Sequence, residues 1–82
     1  MSKMQSVVEC IANAMDRPTA EIAELDDEML LAEQGMDSIR FIQMIVLLED
    51  ALEIEILDSD LLLENFKSKK AIFETLEKYL ES

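Results

Sequence analysis

The chain has 82 residues, which is room for one domain with a single hydrophobic core and argues against a two-domain protein. Half of the residues are hydrophobic, and only one glycine and one proline occur, which argues against a disordered tail and against a turn-rich β fold. The net charge of −12, from 19 acidic and 7 basic residues, argues against nucleic acid and anionic membranes as partners and favours proteins with basic patches. We therefore predict one all-α domain over residues 1–82.

The first predicted helix runs from about Lys3 to Asp16 and ends before Arg17-Pro18, because a residue that precedes proline avoids helical dihedrals. Apolar residues recur along it at steps of three and four: Val7 or Val8, Ile11 and Met15. Cys10 lies beside this stripe, and we interpret it as a small buried hydrophobe.

A long acidic connection over residues 18–37 follows. A connection of this length is uncommon in a compact domain unless it is functional or pinned to the core. We expect a short helical turn over Thr19–Ile22, with Thr19 as its cap. Four apolar residues are predicted to dip into the core while the acidic residues stay solvated: Ile22, Leu25, Leu30 and Leu31.

The second main helix is predicted over residues 38–52, with Asp37 or Ser38 as its N-cap. One face carries a stripe that is predicted to pack into the core: Phe41, Met44, Ile45, Leu48 and Leu52. A second apolar stripe lies on the opposite face, next to Ser38: Ile39, Ile42 and Val46. Because so small a domain can hardly bury a helix on every side, we expect this second stripe to stay partly exposed and to mark an interaction site.

Two further helices complete the predicted fold, which is a small four-helix bundle of three main helices and one short helix with a long first loop. Asp58 or Ser59 could cap the short helix, from Asp60 to Asn65, and Ser68 is predicted to cap the last helix, from Lys69 to Leu80. One face of the last helix is apolar: Ala71, Ile72, Leu76, Tyr79 and Leu80.

The residue types available exclude most chemistry. No histidine is present, so the commonest general base and metal ligand are both missing. Ser38 is not in a G-x-S-x-G turn, and we therefore predict no enzyme activity of the chain's own. Asp58-Ser59-Asp60 begins like a calcium loop but has Leu63 where that loop needs glycine, so no metal site is expected. The lone cysteine, the absence of a signal-peptide pattern and apolar runs too short to span a bilayer predict a soluble cytoplasmic protein.

One short motif remains, Gly35-x-Asp37-Ser38-Ile39 at the start of an amphipathic helix. With the long acidic loop before it and the segments 55–58 and 66–68 after it, the chain resembles the acyl carrier and peptidyl carrier proteins over essentially its whole length. The resemblance implies an acyl-carrier-like fold in which Ser38 carries 4′-phosphopantetheine from coenzyme A, with Gly35 and Asp37 in the attachment site. Acyl or aminoacyl groups would then be held as thioesters on the arm's thiol.

The resemblance also implies the partners. These are a phosphopantetheinyl transferase, together with enzymes that load and process acyl or aminoacyl groups in fatty acid, polyketide or nonribosomal peptide biosynthesis, and the carrier would be a monomer. Five residues of the second main helix are predicted to meet them: Ile39, Arg40, Ile42, Gln43 and Val46.

Two departures from the family's usual pattern favour a specialised carrier over the housekeeping fatty-acid carrier. Gln34 stands where an apolar residue usually precedes the glycine, and Arg40 and Gln43 stand on a helix face that is usually acidic. A noncovalent alternative stays open, in which the chain is an acidic helical adaptor that binds a basic protein through the same helix.

Overall fold

The computed structural model describes residues 3–80, and within them every regular element is helical. Helix α1 spans Lys3–Met15, α2 spans Thr19–Glu24, α3 spans Ser38–Leu52 and α4 spans Lys69–Leu80. Short 3₁₀ turns lie between them, at Leu31–Gln34, Asp58–Asp60 and Leu63–Phe66. The predicted small all-α, acyl-carrier-like bundle is confirmed.

The core lies where the apolar stripes of α1 and α3 meet, and α2 and α4 close it. Within α1 and α3 the fully buried side chains follow the predicted periodicity, since Ile11, Met44 and Leu48 are all 0% exposed. Phe41 and Leu52 pack against this core while partly exposed, and Cys10 is buried as predicted. Three of the four residues expected to pin the long connection do so, because Ile22 and Leu31 are buried and Leu25 packs against the core. Leu30 is exposed, so that part of the prediction was wrong.

The entry to α2 differs from the prediction. Helix α1 ends at Met15, and Asp16 adopts a left-handed conformation with φ of 57° that turns the chain out of the helix. Pro18 then occupies the N-cap position with extended dihedrals, and α2 continues from Thr19 to Glu24. Thr19 is therefore the first helical residue and not the cap, because the fixed φ of proline already sets the chain direction at the helix start.

The predicted short helix from Asp60 to Asn65 is also wrong, since two separate 3₁₀ turns take its place and no Asp58 or Ser59 side chain caps either of them. Contacts with α4 explain the break. The Asp60 carboxylate accepts hydrogen bonds from the Tyr79 hydroxyl and, at 2.8 Å, from the Lys78 ammonium. These two bonds hold the pKa of the Asp60 carboxyl below its usual range, so Asp60 stays ionised and anchors the loop to α4.

Lys69 is a buried cation whose role no pattern in the sequence indicated. Its side chain is 4% exposed, and its Nζ donates to the carbonyls of Ile22 at 3.0 Å and Ala23 at 3.1 Å. The Asp27 carboxylate lies 3.5 Å from the same nitrogen. Lys69 thus caps the last carbonyls of α2, where the helix dipole favours positive charge, and joins α2 to the start of α4.

The acidic residues of the connections lie mostly on the surface, and this predicts a response to salt. Five exposed carboxylates stand close together in sequence at Glu21, Glu24, Asp26, Asp27 and Glu28. Three of them pair with Arg17, Lys69 or Lys70, but the chain keeps a net charge of −12. The remaining repulsion should lower stability in dilute buffer, so added NaCl or Mg²⁺ should raise the melting temperature. Relief of about 1 kcal/mol would raise it by roughly 4–8 °C in a domain of this size. A thermal melt that does not change across a salt series would contradict this expectation.

Candidate functional site

The N-terminus of α3 presents Ser38 to solvent. Asp37 is the N-cap, and its Oδ1 accepts a hydrogen bond from the backbone N–H of Arg40 at 2.8 Å. The sequence left the cap open between Asp37 and Ser38, and the structure gives that role to Asp37. Ser38 is the first residue of the helix, and because Asp37 is the cap, the serine hydroxyl is not used in capping. Ser38 is also exposed, so the hydroxyl is accessible to solvent.

Gly35 sets the direction in which the chain enters this helix. It follows the 3₁₀ turn Leu31–Gln34 with φ of 103° and ψ of 8°, a left-handed conformation that residues with a side chain rarely adopt. A Cβ atom at this position would meet only Nη2 of Arg17, at 3.9 Å, so the requirement for glycine comes from the backbone and not from crowding. The N–H of Met36 bonds the carbonyl of Leu31 at 3.0 Å and closes the turn just before Asp37.

A polar residue, Gln34, precedes the glycine because its side chain has a hydrogen-bond partner that could not be identified from the sequence. Nη1 of Arg17 donates to Oε1 of Gln34 at 3.1 Å and to Oε1 of Glu21 at 3.1 Å. Arg17 follows α1, Glu21 lies in α2 and Gln34 ends the 3₁₀ turn, so one guanidinium ties three segments together directly beside the glycine. The polar side chain at this position is therefore held by one hydrogen bond from the same guanidinium nitrogen that also binds Glu21.

The sequence predicted that Arg40 lies exposed on the surface of α3, but the structure places it differently. It is half-buried, and its Nη1 donates to the carbonyl of Ala14 in the last turn of α1 at 3.1 Å. This contact places positive charge at the C-terminal end of α1, which the helix dipole favours. Arg40 thus links α3 to α1, whereas Gln43 is exposed as predicted.

The second apolar stripe of α3 is exposed, as predicted. Ile39 is 69% exposed, Ile42 61% and Val46 58%, although each carries a large aliphatic side chain. Ile42 and Val46 also line an open groove of about 570 Å³ together with Asn13, Ala14, Gln43 and Leu47. The role of this face in docking stays a prediction.

A second cleft opens beside Ser38 and was not foreseen. It has a volume of about 330 Å³ and is mostly apolar. Its floor includes Phe41 and Phe66, whose rings meet edge to face with centroids 5.7 Å apart. The residues that line it come from the segment before α3, from α3 itself and from the 3₁₀ turn before α4: Leu30, Leu31, Ala32, Met36, Asp37, Ser38, Phe41, Leu63, Phe66 and Lys67.

Among residues 3–80 no group of three or more histidine, cysteine, aspartate or glutamate side chains is arranged to hold a metal ion. Over the same residues no helix has the length and apolar character needed to cross a membrane.

The comparisons with known proteins agree with this geometry. A family model described as a phosphopantetheine attachment site matches residues 5–68, which run from α1 to the residue before α4 and include Ser38. No curated protein and no solved structure matches the chain.

Proposed function

We propose that Ser38 is the residue to which 4′-phosphopantetheine is covalently attached in this chain. The chain belongs to the phosphopantetheine attachment site family and carries this prosthetic group. Members of such a family are carrier proteins that work with transferases and biosynthetic enzymes. The observation that supports Ser38 is its position, since it is an exposed hydroxyl at the first turn of α3 within the matched residues.

The residues around Ser38 fit a phosphodiester there. The backbone N–H of Arg40 is taken by the Asp37 side chain and that of Phe41 by the Asp37 carbonyl, whereas the N–H groups of Ser38 and Ile39 have no acceptor within the described chain. Free N–H groups and the positive end of the helix dipole both favour an anion at this point. When bound, the group supplies a terminal thiol on which acyl groups are held as thioesters.

We further propose that the chain provides no catalysis and that its partners supply the base and metal for each step. The proposal is supported by the absence of histidine from the sequence and by the exposure of Ser38, which leaves its hydroxyl open to a docked enzyme. The Arg17–Gln34 anchor and the uncharged exposed face at Ile39, Ile42 and Gln43 favour a specialised carrier of acyl or aminoacyl groups in polyketide or nonribosomal peptide chemistry.

A thiol titration of the native protein separates a covalent carrier from a noncovalent adaptor. Burial, reinforced by the nearby Glu9 and Asp50 carboxylates, raises the pKa of the Cys10 thiol, and Cys10 is only 5% exposed. It should therefore react slowly with a disulfide reagent at neutral pH. After treatment with coenzyme A and a phosphopantetheinyl transferase, and removal of free coenzyme A, the protein should have gained one fast-reacting thiol per modified chain. If no fast thiol appears while a known carrier in the same assay gains one, the covalent proposal is wrong and the adaptor remains.

The exposed stripe on α3 gives a second prediction. Any enzyme that reaches Ser38 must cover Ile39, which is the next residue and is 69% exposed. Ile39→Ala should lower kcat/KM of transferase modification roughly fivefold or more, because apolar anchors dominate small interfaces. Leu57→Ala is the matched control, since Leu57 is also exposed and aliphatic but lies beyond the C-terminal end of α3. Equal kcat/KM values for Ile39→Ala and Leu57→Ala would show that Ile39 is not part of the docking surface.

A further inference from the structure

Among the cations whose side chains the structure describes, Lys67 is the one that forms no ion pair and no side-chain hydrogen bond with a described residue. The structure describes the backbone of Lys3 but not its side chain, and the other five cations are engaged. Arg17 pairs with Glu21, Lys69 with Asp27, Lys70 with Glu28 and Lys78 with Asp60, while Arg40 bonds the carbonyl of Ala14. Within the described residues Lys67 forms neither an ion pair nor a side-chain hydrogen bond, although the chain carries 19 acidic residues.

The position of Lys67 is fixed by contacts on both sides. Its carbonyl accepts a hydrogen bond from the N–H of Leu31 at 2.8 Å, so it is tied to the segment that leads to Ser38. The residue before it, Phe66, is buried against Phe41 of α3, and the residue after it, Ser68, caps α4 through the N–H of Ala71 at 3.2 Å. Lys67 lines the same cleft as Ser38 as a consequence.

A cation in the cleft beside Ser38 would stabilise a phosphodiester attached to that residue. A phosphodiester on Ser38 would stand next to the Asp37 carboxylate, which repels it. Arg17 and Arg40 are turned to Glu21, Gln34 and Ala14, which leaves Lys67 as the cation of this cleft. On the basis of the proposed attachment at Ser38, we propose that the Lys67 ammonium binds the phosphodiester of the arm and holds the arm at the mouth of the cleft.

A competing site for the same ammonium exists. Lys67 also borders a polar groove of about 480 Å³ that contains Asp60, Glu64 and Glu74. Asp60 is already engaged by Lys78 and Tyr79, and neither Glu64 nor Glu74 forms an ion pair within the described residues. We therefore expect the Lys67 ammonium to move from this polar groove to the cleft beside Ser38 when the arm is attached. The experiment must detect this change in the surroundings of the ammonium.

Lysine footprinting by mass spectrometry on the full chain, before and after modification, measures this directly. The acylation rate of the Lys67 amine should fall roughly two- to fivefold when the arm is attached, which is the change expected for a solvent-exposed ion pair. Lys70 is the internal control, since it lies three residues away, pairs with Glu28 and does not line the cleft. Its rate should not change.

Salt distinguishes an ion pair from simple shielding by the arm. In about 1 M NaCl, where the Debye length is about 3 Å, the protection of Lys67 should largely disappear. Protection that persists at high salt, or no protection at all in protein whose mass shows the arm attached, overturns the role of Lys67 while the attachment itself stands. A wild-type chain that gains no mass overturns the proposed function and this inference together.

A second pair of variants gives an independent readout. The change in melting temperature on modification should be smaller by roughly 1–8 °C in Lys67→Gln than in wild type. Lys70→Gln should show the wild-type difference. Because each variant is compared with its own unmodified form, a general loss of stability cancels, and equal differences for Lys67→Gln and Lys70→Gln would overturn the proposal.

Discussion

Replacing Leu48 by alanine should lower the free energy of unfolding by about 2–5 kcal/mol, which is the range for a fully buried leucine. Leu48 is 0% exposed and lies at the centre of the α3 stripe that packs against α1, so the substitution removes apolar contacts and leaves a cavity. Urea denaturation followed by circular dichroism measures the loss, with the slope of the transition checked for two-state behaviour.

Ile39→Ala is the matched control on the opposite face of the same helix. Ile39 is 69% exposed, so its replacement should change the free energy of unfolding by less than about 0.5 kcal/mol. Both substitutions shorten an aliphatic side chain in α3, and the difference between them therefore reports burial. If Ile39→Ala unfolds the domain while Leu48→Ala has no effect, the two faces are inverted, and the docking surface on α3 is lost with them.

The main helices could be predicted from sequence because their signals are local. Apolar residues at helical spacing gave α1, α3 and α4 to within about a residue, and Ser68 caps α4 as predicted. The short elements could not be predicted so well, because distant partners decide them. The Asp60 carboxylate accepts a hydrogen bond from Tyr79, which lies 19 residues away. Asp60 ends the first of the two 3₁₀ turns that replace the expected helix.

Long-range polar contacts were also invisible in the sequence. Lys69 looked like an ordinary residue of a first turn, yet it reaches carbonyls 46 and 47 residues earlier in the chain. Arg40 looked exposed on a helical wheel, but its acceptor lies 26 residues away in α1. Hydrophobic periodicity assigns residues to the face of one helix and carries no information about which neighbouring element meets that face.

The candidate site was predicted in part. The motif at Gly35, Asp37 and Ser38 identified the segment, and the structure adds the left-handed turn and the cap that present the serine. The cleft beside Ser38 escaped prediction because residues 30–41 and 63–67 form it together only after folding. The same is true of Lys67, whose place beside Ser38 depends on the backbone bond to Leu31.

Ser38→Ala should abolish modification and leave the fold intact. Asp37 and not Ser38 caps α3, so the substitution should change the free energy of unfolding by less than about 0.5 kcal/mol. A circular dichroism spectrum and a thermal melt that match wild type would show that any loss of modification comes from the missing hydroxyl. Ser59→Ala is the control for removing an exposed serine at a distance from α3.

Attachment of the arm at Ser38 is tested most directly by the intact mass of wild type, Ser38→Ala and Ser59→Ala after treatment with coenzyme A and a phosphopantetheinyl transferase. We expect one phosphopantetheine on wild type and on Ser59→Ala, and none on Ser38→Ala. A folded Ser38→Ala protein that still gains the mass of the arm, or a wild-type protein that does not, would contradict this expectation.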